Sequence, residues 1–524
     1  MAVTLGFDAS KAGQGDPQEL PALRPGAMAA SKSYPASSAQ QQLLGFPGEL
    51  VDQWQIKAIA KLGELVQRSR ALKVALDACV KCGACTDKCQ FFLGSGDPKN
   101  MPAARQELLR KVYRRYFTWA GKHMPWLVGA EDLTEATLDE WYIYFHQCSQ
   151  CRRCAVACPF GIDTAEVSMA AREIMDSIGK GQRYCNEIIG KVLTIGNNLG
   201  LKKHALAATL EGLEEEIKEE TGVDVKLPLD VEGADILLVA PSADFFAEPH
   251  IASLIGYGKV LHEAGLSWTF SSHASEAGNF GMFIGSSENM QRVLERVGDA
   301  VRALKVKRLV VGECGHAWRV AYNFWNTLAG PYETLDPAYP IPQHICELTY
   351  DLWRAGKLRF DKSKNDHIRL TYHDSCNPAR ASRIGPDPGS QFEIPRALLR
   401  ATCNHFYDMA PGTIRENTFC CGGGGGLLTD ELMEVRLRGA QPRMRALRDV
   451  ADEHGVTHMA MICAICKAQF TTVLPQFGFE SDGVVGVHQM ISNAIVLTGS
   501  VQAQEYEARL ASAGNGDVAA GGKR

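Results

Sequence analysis

The cysteines are the residues of this chain whose spacing points most directly to chemistry. The sequence has 524 residues and 17 cysteines, and two groups of cysteines repeat the spacing C-x2-C-x2-C-x3-C. The first run contains Cys79, Cys82, Cys85 and Cys89, and the second contains Cys148, Cys151, Cys154 and Cys158. Runs with these short spacers wrap a [4Fe–4S] cubane, with thiolates at its successive corners. The sequence therefore predicts two cubane clusters.

The fourth cysteine of each run is expected to bind the cluster of the other run, because the helix that follows carries it away. Zinc closes its shell with four ligands, often in two CxxC pairs, and does not explain two runs of identical spacing. We therefore predict crossed ligand sets. Cluster I would be bound by Cys79, Cys82, Cys85 and Cys158, and cluster II by Cys148, Cys151, Cys154 and Cys89.

Further cysteines form the different pattern C…CCG…CxxC, and these are Cys376, Cys420, Cys421, Cys463 and Cys466. Glycines occupy residues 422–426 directly after the adjacent pair. A backbone without Cβ atoms can approach a metal centre closely and aim its amides at sulfur. His373, at the end of a predicted strand, could donate protons during thiol chemistry or be a structural histidine. Lys467 could compensate negative charge there or lie in solvent.

The elements that must hold these residues change character along the chain. Apolar residues at helical spacing predict a helix over 56–78, and residues 90–147 between the two cysteine runs also look helical. Beyond residue 230, short apolar runs alternate with helical segments, which is the α/β signature. The predicted buried strands are 236–240, 308–312, 368–372 and 459–463.

The predicted fold class is α+β multidomain, with an all-helical ferredoxin-type domain followed by two tandem α/β domains. The predicted boundaries are an extended or disordered arm at 1–50, the helical domain at 51–210, an acidic linker at 211–230, the α/β domains at 231–360 and 361–500, and a flexible tail at 501–524. The matching order of motifs in the two α/β domains indicates an internal duplication.

The first α/β copy has lost most of the cysteines of the second. It has Ser242 or Asp244 where the single cysteine is expected and Ala277–Gly278–Asn279 in place of CCG, while Cys314 remains near the CxxC position. We expect this copy to serve as a scaffold, with Cys314 either in the cleft between the copies or as a buried structural thiol. The isolated cysteines, expected to be core thiols, are Cys185, Cys346 and Cys403.

Composition and charge exclude several classes of protein. The 55 basic and 60 acidic residues give a net charge of −5, so no basic field indicates a nucleic-acid partner. No apolar stretch approaches the roughly 18 residues of a membrane span. The N-terminal residues lack a secretory pattern. Clustered cysteines in a reducing compartment are more often metal or catalytic thiols than disulfides.

One helical segment between the two cysteine runs is strongly basic. Its charged residues are Arg105, Arg110, Lys111, Arg114 and Arg115. Since several are spaced four residues apart, one face would carry much of the charge. We expect either a solvated face or a surface that docks on a partner or on anionic lipid headgroups.

The C…CCG…CxxC pattern within residues 235–497 resembles the CCG domain of the heterodisulfide reductase family, and the ferredoxin-type domain before it matches the same family. The resemblance implies that five thiolates hold a non-cubane [4Fe–4S] cluster, namely those of Cys376, Cys420, Cys421, Cys463 and Cys466. With one intact and one degenerate copy, the chain is most similar to the DsrK-type subunits of the Dsr membrane complexes.

This resemblance implies a heterodisulfide reductase-like oxidoreductase acting on sulfur groups. It would be cytoplasmic and peripherally associated with the inner membrane through partner subunits. A DsrM-like membrane cytochrome b subunit would exchange electrons with the quinone pool, and a DsrC-like sulfur-carrier protein would bring a disulfide or trisulfide.

Two alternative functions stay open. The first is the iron–sulfur subunit of a glycolate, lactate or glycerol-3-phosphate dehydrogenase. Its flavin would sit on another chain, because no GxGxxG follows a strand here. The second is an electron-relay subunit without catalysis of its own.

Overall fold

The computed structural model describes residues 49–428 and 432–519, with side chains described as far as residue 511. Only the last two residues of the predicted N-terminal arm, 1–50, fall within this range. The described chain has a helical part followed by two α/β units, each with a small sheet. Among the described residues, no helix combines the length and the apolar character needed to cross a membrane.

The helical part buries one apolar face of each long helix. In the first helix these residues are Ala58, Leu62 and Leu65, at helical spacing. The predicted helix over 56–78 is broken at Ser69, whose side chain accepts a hydrogen bond from the Leu72 amide and so caps a second helix. The α-helices of this part are α1 (Trp54–Arg68), α2 (Arg70–Ala78), α3 (Gln90–Ser95), α4 (Pro102–Phe117), α5 (Trp119–His123), α6 (Pro125–Val128), α7 (Glu135–His146), α8 (Arg153–Ala157), α9 (Thr164–Ser177), α10 (Arg183–Ile195) and α11 (Lys203–Thr221).

The first half of the expected acidic linker, residues 211–221, is helical and packed, and residues 222–230 follow the helix as irregular chain. The apolar residues of α11, Leu206, Leu210, Leu213 and Ile217, are buried and belong to the same core as the strands of the first α/β unit. The acidic residues lie mostly on the opposite, solvent-facing side. The charge run therefore marks one face of an amphipathic helix and not a linker.

The first α/β unit contains a four-stranded parallel sheet in the order β2-β1-β3-β4. All residues of its central strand β1 are buried, as expected for a parallel strand covered on both faces. The elements of this unit are β1 (Ile236–Val239), α12 (His250–Glu263), β2 (Trp268–Thr269), α13 (Asn279–Phe283), α14 (Ser287–Leu304), β3 (Arg308–Val311), α15 (Gly315–Leu328), β4 (Gln343–His344) and α16 (Ile345–Arg354).

The second α/β unit has a parallel sheet in the order β5-β6-β7. Leu370 of β5 forms a parallel bridge with Phe406, which takes the position beside β5 that β2 takes beside β1. The strands are therefore in the same order in both units. A duplication would give the same order in both units, and it stays a prediction. The elements are β5 (Leu370–Tyr372), α17 (Cys376–Ala381), α18 (Ser390–Thr402), α19 (Met433–His454), β6 (His458–Met461), α20 (Ala464–Val473), β7 (Val484–Gly486), α21 (Val487–Ala494) and α22 (Val501–Ala519).

The predicted flexible tail at 501–524 is helical over most of its length, because α22 spans residues 501–519. Arg509 pairs with Asp361, and Glu507 lies 3.3 Å from Arg359. Ala503 in the first turn is buried. The helix is therefore docked on the second α/β unit.

A buried ion pair joins the two α/β units. Lys467 Nζ of α20 lies 2.7 Å from Oε2 of Glu313, which follows β3 by two residues, and both side chains are fully buried. Lys467 also donates to Ser253, and the His488 amide and Nδ1 lie 2.8 Å from Glu313 Oε1. Burial alone would raise the pKa of Glu313, but Lys467 and His488 hold it well below its usual range. Lys467 thus neutralises a carboxylate, and its ammonium is not in solvent.

Removing this ammonium should destabilise the protein strongly. In Lys467→Met the Glu313 carboxylate stays buried without a cation, so we expect the free energy of unfolding to fall by about 3–5 kcal/mol in a denaturant titration. The double variant Glu313→Leu/Lys467→Met should recover much of that loss.

The matched control is Lys305→Met, which breaks an exposed pair with Glu232 and should leave the unfolding midpoint unchanged. Equal midpoints for Lys467→Met and the control would show that the buried pair contributes nothing to stability.

Candidate metal centres

The first cysteine run lies in the loop between α2 and α3 and surrounds a cavity that we call the cluster I site. The loop turns at Lys81 and Gly83, which both have positive φ. The cavity is lined by the predicted set Cys79, Cys82, Cys85 and Cys158, and also by Cys154. Burial raises the pKa of the Cys85 thiol, and the nearby sulfurs of Cys79 and Cys158 raise it further. Four thiols facing one cavity are a donor set that fits a [4Fe–4S] cubane.

The second run surrounds a neighbouring cavity, the cluster II site. Its thiols are Cys89, Cys148, Cys151 and Cys154. These four thiols also fit a cubane. Each of the two crossed sets that the spacing predicts therefore lines one cavity. Cys82 is exposed, whereas Cys89 and Cys148 are buried. The cluster I site is therefore the more solvent-accessible of the two.

The basic segment on α4 is less exposed than either a solvated face or a docking surface requires. Arg105 is buried in the cluster II site, where Nη1 lies 4.0 Å from Cys89 Sγ. Arg110 is also buried and donates to the Cys79 carbonyl at 2.6 Å. The other three basic residues pair with acids, Lys111 with Glu131, Arg114 with Glu107 and Arg115 with Asp132. The segment therefore packs on both cluster sites, and Arg105 supplies positive charge where thiolates gather.

The third thiol site consists of Cys376, Cys420, Cys421, Cys463 and Cys466, all of which are buried. Cys376 begins α17 just after β5, and Cys463 caps α20 just after β6. The carboxyl ends of these neighbouring parallel strands therefore bring the two cysteines to one edge of the sheet.

The five sulfur atoms form one connected group. Cys376 Sγ lies 4.0 Å from Cys420 Sγ. The thiol of Cys421 contacts those of Cys420 and Cys466, and Cys466 contacts Cys463. Hydrogen bonds from Cys376 and Cys421 hold the pKa of Cys420 well below its ordinary value. A buried set of five thiols is chemically suited to an iron–sulfur centre, because soft thiolate donors select such clusters.

The glycine loop after Cys421 is tightly packed. Gly422 has φ +90° and donates its amide to Cys420 Sγ at 3.5 Å, as expected for a backbone that approaches sulfur. A Cβ on Gly425 would lie 2.7 Å from the Cys148 carbonyl oxygen. One on Gly424 would lie 3.0 Å from His316 Nε2. The loop thus also forms the contact between the third thiol site and the cluster II site.

His373 is placed beside the third thiol site but has no hydrogen-bond partner among the described residues. Burial and the nearby Arg443 lower the pKa of His373 to about 3. The ring packs edge-on against Phe470, with centroids 5.1 Å apart. The ring is thus buried beside the third thiol site with both nitrogens unpaired, and its role as a proton donor stays a prediction.

The first α/β unit also contributes to the third thiol site, through Cys314 and His316. The Cys314 and Cys463 side chains are in hydrogen-bonding contact. His316 Nδ1 lies 3.6 Å from Cys463 Sγ. Cys314 is therefore a buried thiol at the place where the two copies meet.

Further contacts bring the cluster II site against the third thiol site. Ser149 hydrogen-bonds with Cys420. The charge on Cys420 also contributes to raising the pKa of the Cys151 thiol. Arg380 of α17 donates to the Cys151 carbonyl at 2.6 Å. Cys151 also packs against the core that contains Cys376 and Cys420, so the cluster II site adjoins the third thiol site.

Arg172 of α9 is an important residue that the cysteine pattern did not reveal. Its buried guanidinium donates to the carbonyl oxygens of Phe145, Cys148, Phe283 and Gly425. It therefore ties the helical part to both α/β units. The sequence signal for it was an arginine flanked by Ala170, Ala171, Ile174 and Met175, a setting in which an unpaired charge is not tolerated.

Comparison with known proteins agrees with this arrangement. A family model for a 4Fe-4S dicluster domain matches residues 75–162. The chain is 40% identical over 494 residues to the Hdr-like menaquinol oxidoreductase iron-sulfur subunit of Archaeoglobus profundus, and the match covers 88% of this chain and 87% of the relative. It is 40% identical over 480 residues to iron-sulfur subunit 2 of the same type from Archaeoglobus fulgidus, covering 86% and 85%.

A more distant relative belongs to the dihydromethanophenazine:CoB–CoM heterodisulfide reductase of Methanosarcina barkeri. One subunit of that enzyme is 24% identical over 439 residues, or 81% of this chain and 95% of the relative. These matches confirm the predicted resemblance to the heterodisulfide reductase family, and with it an iron–sulfur oxidoreductase that works with partner subunits. Identity of 40% across most of both chains shows that this protein belongs to the family of Hdr-like menaquinol oxidoreductase iron–sulfur subunits.

Proposed function

We propose that this protein is the electron-transferring, disulfide- or trisulfide-active subunit of a membrane-associated respiratory complex in dissimilatory sulfur metabolism. Through a cytochrome b partner it would link the quinone pool to a thiol/disulfide sulfur-carrier protein. The proposal rests on the arrangement of the three thiol sites, which adjoin one another from the exposed Cys82 to the buried Cys420. The relatives' name, menaquinol oxidoreductase, supports the quinone end of this path.

The membrane partner would dock at the cluster I site, on the cytoplasmic side. Val80 and Phe160 line this cavity and are 63% and 51% exposed. An exposed apolar rim is typical of a surface that another protein covers. A partner seated there would bring its own redox group close to Cys82, the most accessible of the predicted ligands.

The sulfur chemistry would take place at the third thiol site. When bound, two cubanes and one non-cubane cluster supply one-electron transfer, with the ligand sets given above. Cleaving a disulfide takes two electrons and two protons and releases two thiols, and the reverse reaction returns them. The protein contributes a site whose five thiols are all buried, which keeps water away from reactive sulfur. It also holds Cys151 beside Cys420, so that electrons pass over a short distance.

Purification with partner subunits separates this proposal from its alternatives. Copurification of haem b and a sulfur carrier supports it. A flavoprotein partner would instead favour the dehydrogenase subunit. A complex with haem b but no turnover on any disulfide or trisulfide would indicate a relay.

Replacing Cys421 with serine should remove the third centre while leaving the cubanes. We expect iron to fall from about twelve to about eight atoms per chain, that is, from three clusters of four to two. Disulfide cleavage should be lost, because the remaining thiols no longer hold the centre. Iron and sulfide determination with EPR spectroscopy on the purified complex measures both effects.

The control is Cys403→Ser, which changes a buried thiol outside all three sets and should keep the full iron content. A Cys421→Ser protein with full activity and an unchanged third-centre signal would refute the proposed function.

Replacing Phe160 with glutamate should weaken docking of the cytochrome b partner. A carboxylate placed in the apolar rim must lose its water on docking, so we expect about tenfold weaker binding, or about 1.4 kcal/mol. Titration of the holoprotein with the purified partner measures the effect. Tyr322→Glu, at an exposed position on α15, is the control. Equal binding by the two variants would place the partner elsewhere.

A further inference from the structure

The first α/β unit lacks the thiol set of the second, yet it reaches into the third thiol site. Cys314 caps the N-terminus of α15, and His316 lies in its first turn. Both side chains are buried, at 2% and 1% exposure. They come from the end of β3, as Cys463 comes from the end of β6, so the two strand ends face each other across the junction of the units.

Both side chains converge on the same sulfur atom. The Cys314 thiol contacts Cys463, and its own Sγ already accepts the Ala317 amide at 3.5 Å. Its S–H is therefore available to Cys463 as a donor. His316 Nδ1 lies 3.6 Å from Cys463 Sγ, and the ring packs edge-on against Phe283 with centroids 5.0 Å apart. That packing fixes the direction in which the ring nitrogen points.

Contacts on both sides of Cys314 fix its backbone and so keep its thiol against Cys463. Glu313, the preceding residue, is anchored by Lys467, which follows Cys466 in the other unit. On the other side, a Cβ on Gly315 would lie 2.8 Å from Pro378 Cδ and 3.4 Å from the Cβ of Cys463. Only a residue without a side chain allows such a close approach. The ion pair and the glycine together clamp Cys314 against Cys463.

We propose that Cys314 and His316 are positioning residues that donate hydrogen bonds to the Cys463 thiolate when it ligates the third centre, and so favour the reduced form of that centre. The inference rests on the proposed function, in which this site holds an iron–sulfur cluster. A ligating thiolate carries no proton and can only accept. Hydrogen bonds to ligand sulfur spread its negative charge, and reduction adds negative charge, so donors raise the reduction potential. The first unit thus tunes a centre that it does not ligate.

A redox titration followed by EPR on the purified holoprotein tests this role. In Cys314→Ala and His316→Ala the midpoint potential of the third centre should shift to more negative values, and the double variant should show the largest shift. Cys314→Ser keeps a hydroxyl donor and should stay closer to the wild type. Iron content should be unchanged in all variants. Cys403→Ala, a buried thiol away from the site, is the control, and the cubane signals report folding in each sample.

A midpoint in both single variants equal to that of Cys403→Ala would overturn the inference. Loss of a cluster's iron from Cys314→Ala would also overturn it, because Cys314 would then be a ligand. These results leave the proposed function intact. A wild-type protein with about eight iron atoms and no third centre would overturn both.

Discussion

The guanidinium group of Arg172 donates to carbonyl oxygens in all three parts of the chain, and the relative placement of the thiol groups depends on it. Its acceptors are Phe145 and Cys148 in the helical part, Phe283 in the first α/β unit and Gly425 in the second. Burial lowers the pKa of Arg172 to about 10, so the group stays charged at neutral pH. Each buried carbonyl left without its donor would cost about 1–3 kcal/mol, which makes this junction rigid.

This junction determines how the proposed electron path is built. With Gly425 held against Cys148, the glycine loop brings Cys420 beside Ser149 and Cys151. Because protein groups make the contact between the cluster II site and the third thiol site, the fold itself sets the order of the thiol sites. The Lys467–Glu313 pair fixes the second junction, between the two α/β units. The first α/β unit therefore contacts the third thiol site, although it lacks the thiol set of the second unit.

Residue patterns predicted the features that depend on residues close together in the sequence. Cysteine spacing predicted the crossed sets that line the two cavities, and apolar runs predicted β1, β3, β5 and β6 close to their observed bounds. Charge pattern failed where tertiary packing decides. Arg105 lies under a cluster site, and Lys467 points to Glu313, because a buried charge needs a partner that sequence spacing does not reveal. The acidic run on α11 hid an apolar face that packs on the first unit.

The claim on which the proposed electron path depends is that the cluster II site adjoins the third thiol site, where Cys151 packs against the core that contains Cys376 and Cys420. The most direct measurement is the magnetic coupling between their two centres in the fully reduced holoprotein, by EPR spectroscopy. We expect the third-centre signal to be split or broadened by cluster II and to become simple when cluster II alone is oxidised. A third-centre signal that does not change with the redox state of cluster II would contradict the claim.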